Sequence, residues 1–259
     1  MPFAEVNGQR LYYEDEGNGP PVLFSHGYLM DRSMFDPQIA ALSREFRCIT
    51  WDERGFGQTE SDGKPFSYWD SASDALGLLS SLGIERAVLA GMSQGGFLSL
   101  RAALAAPERV KALVLIDTQS GVEDPNTVDA YRGMFEMWVS SGSDTVAPAV
   151  AQIILGPGAD DEGWIAKWRA IPVESMRPAF DCLMDRDDVT DRLSEVACPA
   201  LVVHGEDDAA IPIAIGEELC AALSGCVGLV RVPGAGHASN LTHPEVVNPP
   251  LLDFLRAHA

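Results

Sequence analysis

The chain has 259 residues, with 38 acidic against 18 basic side chains and a formal net charge of −20 at pH 7. At 46% hydrophobic and 22% charged it has the composition of a folded globular chain, not of a disordered one. So acidic a surface repels phosphate backbones and anionic headgroups, which argues against nucleic-acid and membrane partners.

In chain order, the N-terminal MPFAEVNGQR lacks the basic start and apolar stretch of a signal peptide. Residues 9–15 (QRLYYED) and 21–25 (PVLFS) are predicted strands on either side of the turn-rich GNGP. Residues 46–51 (FRCITW) are a third, followed by the glycine-broken loop DERGFGQT. Helical spacing over 67–82 puts Trp69, Ala72, Leu76 and Leu79 on one face. A buried strand at 87–91 (AVLAG), a helix at 94–106 stopped by Pro107, and a strand at 112–117 (ALVLID) follow. The pattern resumes with a strand at 199–204 (PALVVH), a helix near 212–223, a strand at 227–232 and a C-terminal helix. Within that last helix, Asn248-Pro249-Pro250 predicts a break, with Pro250 opening a second short helix.

Strands that are apolar throughout, alternating with helices, predict an α/β fold whose mostly parallel sheet is covered on both faces. The block 119–190 carries no strand, holds Trp138, Trp164 and Trp168, and is divided by Pro148, Pro157, Pro172 and Pro178. It is too long for a loop and reads as a helical cap inserted between core segments 1–118 and 191–259. The five cysteines form neither a CxxC pair nor a zinc pattern, so they read as small buried hydrophobes of a reducing compartment. With no apolar run of the roughly 20 residues that span a bilayer, a cytoplasmic protein is expected.

The chemistry concentrates in four short stretches. Gly91-Met92-Ser93-Gln94-Gly95 is a GxSxG between a predicted strand and a predicted helix, the setting of a nucleophile elbow. A sharp turn there exposes the Ser93 hydroxyl at a helix N-terminus, whose dipole favours negative charge. A hydroxyl needs a base and the base an orienting acid. Of five histidines, His237 lies on the glycine-rich loop after the last strand and is the candidate base. His258 reads as a solvated residue near the C-terminus, His243 as a neighbour of a helix start and His204 as a packed structural residue. Asp208, in His204-Gly-Glu-Asp207-Asp208, is the favoured acid, with Asp207 and Asp117 as competitors. After the strand PVLF, Ser25-His26-Gly27-Tyr28 offers an oxyanion hole built from the amides of Tyr28 and Gln94.

These stretches, with HGYLMDRSMFDPQ, DERGFGQT, GMSQGG, HGEDDAAIP and GAGHASNLTHPE, resemble an α/β-hydrolase-fold serine hydrolase over nearly the whole chain. The chain is most similar to the small bacterial group of carboxylesterases, enol-lactonases and cofactor-free perhydrolases. That resemblance implies a Ser93–Asp208–His237 triad, an oxyanion hole at Tyr28 and Gln94, an apolar pocket under a helical cap, and neither cofactor nor metal. A serine at the elbow points to acyl chemistry at a carbonyl, with activity lost as His237 protonates near 6.5. The expected reaction is hydrolysis of small neutral hydrophobic esters, with Met134, Trp138 and Trp164 of the cap as candidate substrate-binding residues. Perhydrolysis or lactone hydrolysis by the same triad, or ligand binding on a hydrolase scaffold, are the alternative readings.

Overall fold

A computed structural model describes residues 2–159 and 161–259. The chain opens with a hairpin, β1 (Phe3–Val6) and β2 (Gln9–Glu16), turned at Asn7-Gly8, both with positive φ. Asn-Gly accepts that conformation at little cost. Next come β3 (Pro21–Ser25), a 3-10 turn at Arg32–Phe35, α1 (Asp36–Leu42), β4 (Arg47–Trp51), α2 (Tyr68–Ser81), β5 (Ala87–Met92), α3 (Gln94–Ala105) and β6 (Val110–Ile116). Four helices then intervene without a strand: α4 (Pro125–Ser141), α5 (Ser143–Ile154), α6 (Glu162–Ala170) and α7 (Val173–Met184). The chain returns through β7 (Ala200–Gly205), α8 (Ile213–Ala222), β8 (Cys226–Val232), α9 (Ser239–Thr242) and α10 (Pro244–His258).

The eight strands form one sheet in the order β1-β2-β4-β3-β5-β6-β7-β8. Only the pairs made by β2 are antiparallel. The interior parallel strands are buried on both faces, whereas the edge strand β8 is largely half-exposed, and the interior side chains divide by parity. Val22, Phe24, Val88, Ala90, Val114 and Ile116 join one core cluster, and Leu23, Leu89, Leu113 and Leu115 the other. Helices α4 and α7 contribute Phe135, Trp138, Met176 and Phe180 to the first of these clusters. The chain leaves β3 toward β4 and comes back to place β5 on the other side of β3. The crevice at that reversal, between the carboxyl ends of β3 and β5, is where α/β sheets bind ligands.

Four sequence expectations need correction. Cys220 and Cys226 form a disulfide, because the turn from α8 into β8 brings their Cα atoms to 5.4 Å. Cys48, Cys182 and Cys198 are free. Helix α2 turns Tyr68, Ala72, Ala75 and Leu79 inward, leaving Trp69 and Leu76 half-buried. Pro148 and Pro178 lie inside α5 and α7 instead of dividing them. Likewise α10 continues through Pro249 and Pro250.

Each proline deletes one backbone donor, and tertiary packing of the flanking apolar face holds the helix regardless. For α10 that face is Val247, Leu251, Phe254 and Leu255. Asn248 adds polar anchorage beside the prolines: its Oδ1 accepts from Gln38 Nε2 at 2.8 Å, and its Nδ2 donates to the Pro37 carbonyl at 3.1 Å. No helix of the described residues is long and apolar enough to cross a membrane. Asn248→Ala is expected to lower the free energy of unfolding by about 1–2 kcal/mol, measured as a reduced urea midpoint at constant m.

Candidate active site

The register of the sheet sets the stage. Ser25 pairs with Gly91, Met92 with Ile116, Ile116 with Val203, and Gly205 with Val232. The carboxyl ends of β3, β5, β6, β7 and β8 therefore lie along one rim. From it emerge Tyr28, Ser93, Asp117, Asp208 and His237 in turn.

Ser93 joins β5 to α3 with φ 50° and ψ −114°, a conformation sparsely populated by residues with a side chain. The turn closes because its neighbours have none: a Cβ on Gly91 would overlap the carbonyl of Gly95, and one on Gly95 the carbonyl of Ser25. Ser93 N donates to the Ile116 carbonyl at 2.9 Å, and Thr118 Oγ1 donates to the Ser93 carbonyl at 2.7 Å. The strained corner is thus tied to the end of β6.

His237 Nε2 lies 2.9 Å from Ser93 Oγ, and its Nδ1 lies 2.8 Å from Asp208 Oδ2. A carboxylate only accepts, so Nδ1 carries the hydrogen and Nε2 is left to accept from the hydroxyl. Asp208 Oδ1 is held by the amides of Ala210 and Ile211, at 2.8 and 2.9 Å. Of the competing acids, Asp207 is exposed, and Asp117 is buried but points at Gly205 N and Ser239.

Burial disfavours the imidazolium of His237, yet the facing carboxylates of Asp208 and Asp117 outweigh it and raise its pKa above 6.5. Burial alone would raise Asp208. Its contacts with His237, His204 and the Ile211 amide prevail, holding it well below the usual carboxylate range.

The other histidines have separate duties. His26 is fully buried; its Nδ1 donates to the Gly27 carbonyl at 2.8 Å and its Nε2 accepts from Glu53 N at 3.0 Å. Burial lowers its pKa, consistent with a neutral ring that shapes the loop after β3. His204 is also fully buried, its Nε2 donating to the Ile211 carbonyl at 2.8 Å and lying 3.3 Å from Asp208 Oδ2. His243 contacts Thr242 Oγ1. His258, expected to be solvated, packs its ring 4.8 Å from that of Phe254. Donor atoms of Asp117, His204 and Asp208 come within 4.8 Å of one another. Their oxygens already serve the protein donors just described, so the cluster is a hydrogen-bond network.

Tyr28 and Gln94 flank the Ser93 hydroxyl from the loop after β3 and from the first turn of α3. Among the described residues neither backbone amide donates to a protein acceptor. The loop carrying Tyr28 is fixed from the insertion. Leu29, at φ 63°, accepts from Trp168 Nε1 at 2.7 Å, and Lys167 Nζ reaches Asp31 Oδ2 at 2.8 Å and Ser33 Oγ at 2.7 Å. The sequence placed Trp168 in the insertion, but nothing local marked this contact across 139 residues.

Ser93 and His237 open on a cavity of about 120 Å³, apolar over most of its wall. Met134 and Trp138 line it, as do Phe135, Ile153, Met176 and Phe180. Trp164 does not. It carries Lys167 Nζ over its ring at 4.1 Å and packs against the core from the side. The sequence reading missed Glu123, which lines the cavity while Arg186, almost fully buried, pairs with its carboxylate at 2.7 Å.

Comparison with known proteins agrees with this architecture. The alpha/beta hydrolase fold family matches residues 20–244, and the chain belongs to that family. It is 30% identical to a non-heme haloperoxidase of Rhodococcus erythropolis, covering 99% of this chain and 100% of that one. The enol-lactonase of Burkholderia xenovorans superimposes with a TM-score of 0.90 at 27% identity, over 98% of this chain and 100% of the other. A thermophilic esterase of Thermogutta terrifontis gives 0.88 at 29% identity, over 99% and 97%. The protein is thus an α/β hydrolase of the small bacterial group that includes lactonases, esterases and non-heme haloperoxidases.

A base works only when neutral, so a raised His237 pKa moves the loss of reactivity to higher pH than free imidazole would. The rate of Ser93 sulfonylation by a sulfonyl fluoride is expected to fall with a midpoint above 6.5 as pH is lowered.

Proposed function

We propose that the protein is a serine carboxylesterase acting on small, neutral, hydrophobic esters. One observation carries the reading: an unbroken hydrogen-bonded series from Asp208 through His237 to Ser93, opening directly on an apolar cavity. In the proposed cycle Ser93 Oγ attacks the ester carbonyl while His237 Nε2 takes its proton. The amides of Tyr28 and Gln94 hold the developing oxyanion, a contribution of about 10²–10³ per donor in comparable enzymes. Collapse expels the alcohol, which takes the proton back from His237 and leaves an acyl group on Ser93. Water, deprotonated by the same nitrogen, attacks that acyl carbon; the acid departs and Ser93 regains its proton.

Size and charge define the substrate class. A cavity near 120 Å³ is slightly smaller than the roughly 150 Å³ that accommodates a benzene ring, which supports a short acyl chain. Glu123 lines the wall, and Arg186 is spent on pairing with it. A substrate with its own carboxylate would find no free cation on this wall. The segment 119–190 acts in this reading as a cap, with Met134 and Trp138 as substrate-binding side chains. Peracid formation, with hydrogen peroxide in place of water, is the second reading. Similarity to the non-heme haloperoxidase supports it, and acetate plus peroxide tests it.

Ser93→Ala is expected to lower p-nitrophenyl ester hydrolysis by at least about 10³-fold with an unchanged melting temperature. Turnover retained in that variant would overturn the reading. In the native protein, acetate and butyrate esters should exceed both the octanoate and a carboxylate-bearing ester in kcat/KM. Trp168→Phe keeps the apolar bulk but strands the Leu29 carbonyl. The expected loss, about 1–2 kcal/mol or 5–30-fold, should fall on kcat with little change in KM.

A further inference from the structure

Of the buried carboxylates that the proposed cycle does not use, Asp117 is the one bonded to both loops of the triad. Asp117 directly follows β6, is fully buried and has φ 46°, a left-handed conformation that Asp tolerates better than most residues with a side chain. Its Oδ1 accepts from Gly205 N at 2.8 Å, and Gly205 opens the loop that carries Asp208. Its Oδ2 accepts from both Ser239 N, at 2.9 Å, and Ser239 Oγ, at 2.6 Å, two residues past His237. Asp117 N in turn donates to the Val203 carbonyl at 2.9 Å. Among the described residues no arginine or lysine pairs with this carboxylate.

We propose that Asp117 is a positioning residue of the triad, its carboxylate tying the acid-bearing loop to the base-bearing loop and presenting a second negative charge to the imidazole. The proposal rests on the triad reading given above. Two corners that have to stay in register for proton transfer come from different strands, and this one side chain bonds to both. The backbone also joins the two loops, through Asp207 N to the Ala235 carbonyl at 3.0 Å, and Asp117 adds a side-chain tie. A displacement of about 1 Å can cost 10²-fold in rate.

The charge acts alongside the geometry. The ionisable groups around His237 are Asp208 from the loop after β7, Asp117 just after β6, His204 from β7 itself and, across the cavity, Glu123 in its ion pair with Arg186. Tyr131 of α4 lies on the Asp208 side, and burial together with the nearby carboxylates raises its pKa, so it stays protonated. Burial and the repulsion of Asp208 raise Asp117 above the ordinary carboxylate range, while His204, His237 and the Ser239 hydroxyl favour its charged form. Replacing this carboxylate by a neutral amide withdraws negative charge from the imidazolium. His237 then becomes less basic, and the acid limb moves to lower pH.

The test follows the phosphonylation rate of Ser93 by a p-nitrophenyl alkylphosphonate against pH, in native protein, Asp117→Asn, Ser239→Ala and Ser239→Thr. This reaction needs Ser93 and its base but no ester substrate. Asp117→Asn is expected to lower the midpoint by about one pH unit and the plateau rate by about 10-fold. Ser239→Ala should lose several-fold in rate, and Ser239→Thr should recover it. An unmoved midpoint in Asp117→Asn overturns the proposal, whether the rate is native or uniformly reduced. If Asp117→Asn does not fold, a native rate in Ser239→Ala overturns it. Failure of the native protein to be labelled would instead overturn the triad reading itself.

Discussion

The site depends on one backbone corner. Ser93 at φ 50° exposes its hydroxyl at the rim of the sheet and simultaneously begins α3, so its neighbour Gln94 presents an amide without an intrahelical partner. The local glycines only permit that conformation; contacts impose it. The Ile116 carbonyl takes the Ser93 amide, Thr118 caps the Ser93 carbonyl, and two glycines leave room for the crossing of strand and helix. Relaxing the corner would turn the hydroxyl away from His237 and move the Gln94 amide with it. Strain at one residue is thus held by a sheet whose interior strands are buried on both faces.

Around that corner the electrostatics run on desolvation opposed by specific partners. Two carboxylates and two imidazoles are buried together. Burial by itself would neutralise all four. Asp208 instead stays ionised because amides and imidazoles surround it, and His237 becomes more basic because carboxylates face it. Asp117 has donors but also a like charge nearby, so its shift runs the other way. The result is a pair of acids with different environments, only one of which touches the base.

The helices between β6 and β7 do more than line the cavity. Trp168 and Lys167, adjacent on α6, grip the loop after β3 at Leu29, Asp31 and Ser33. The backbone amide of Tyr28 is thereby positioned by a segment that lies about 140 residues further along the chain. Residues 119–190 carry 13 acidic and five basic side chains, and all five basic ones are paired with carboxylates. Four of these pairs are partly exposed, where ion pairs contribute little to stability. The Arg186–Glu123 pair is the buried exception, leaving Glu123 neutralised beside the cavity.

Several features were legible from the residues alone. Apolar runs separated by helical spacing define a doubly covered parallel sheet, because such strands have no face for water. The turn chemistry of GMSQG required small residues around a serine, and the order of serine, acidic cluster and glycine-flanked histidine matched strand ends. Asp208, Asp207 and Asp117 could not be ranked securely by spacing, since the choice depends on which carboxylate meets Nδ1 across the rim; the geometry gives that contact to Asp208. Nor could helix periodicity tell Trp138, on the cavity wall, from Trp164, under Lys167, because both lie on apolar faces. The Cys220–Cys226 bond, the unbroken α10 and the Asp117 clamp escaped sequence reasoning for a common reason. Each is decided by distances between segments, or by packing that overrides local propensity, and neither is written in any short stretch of chain.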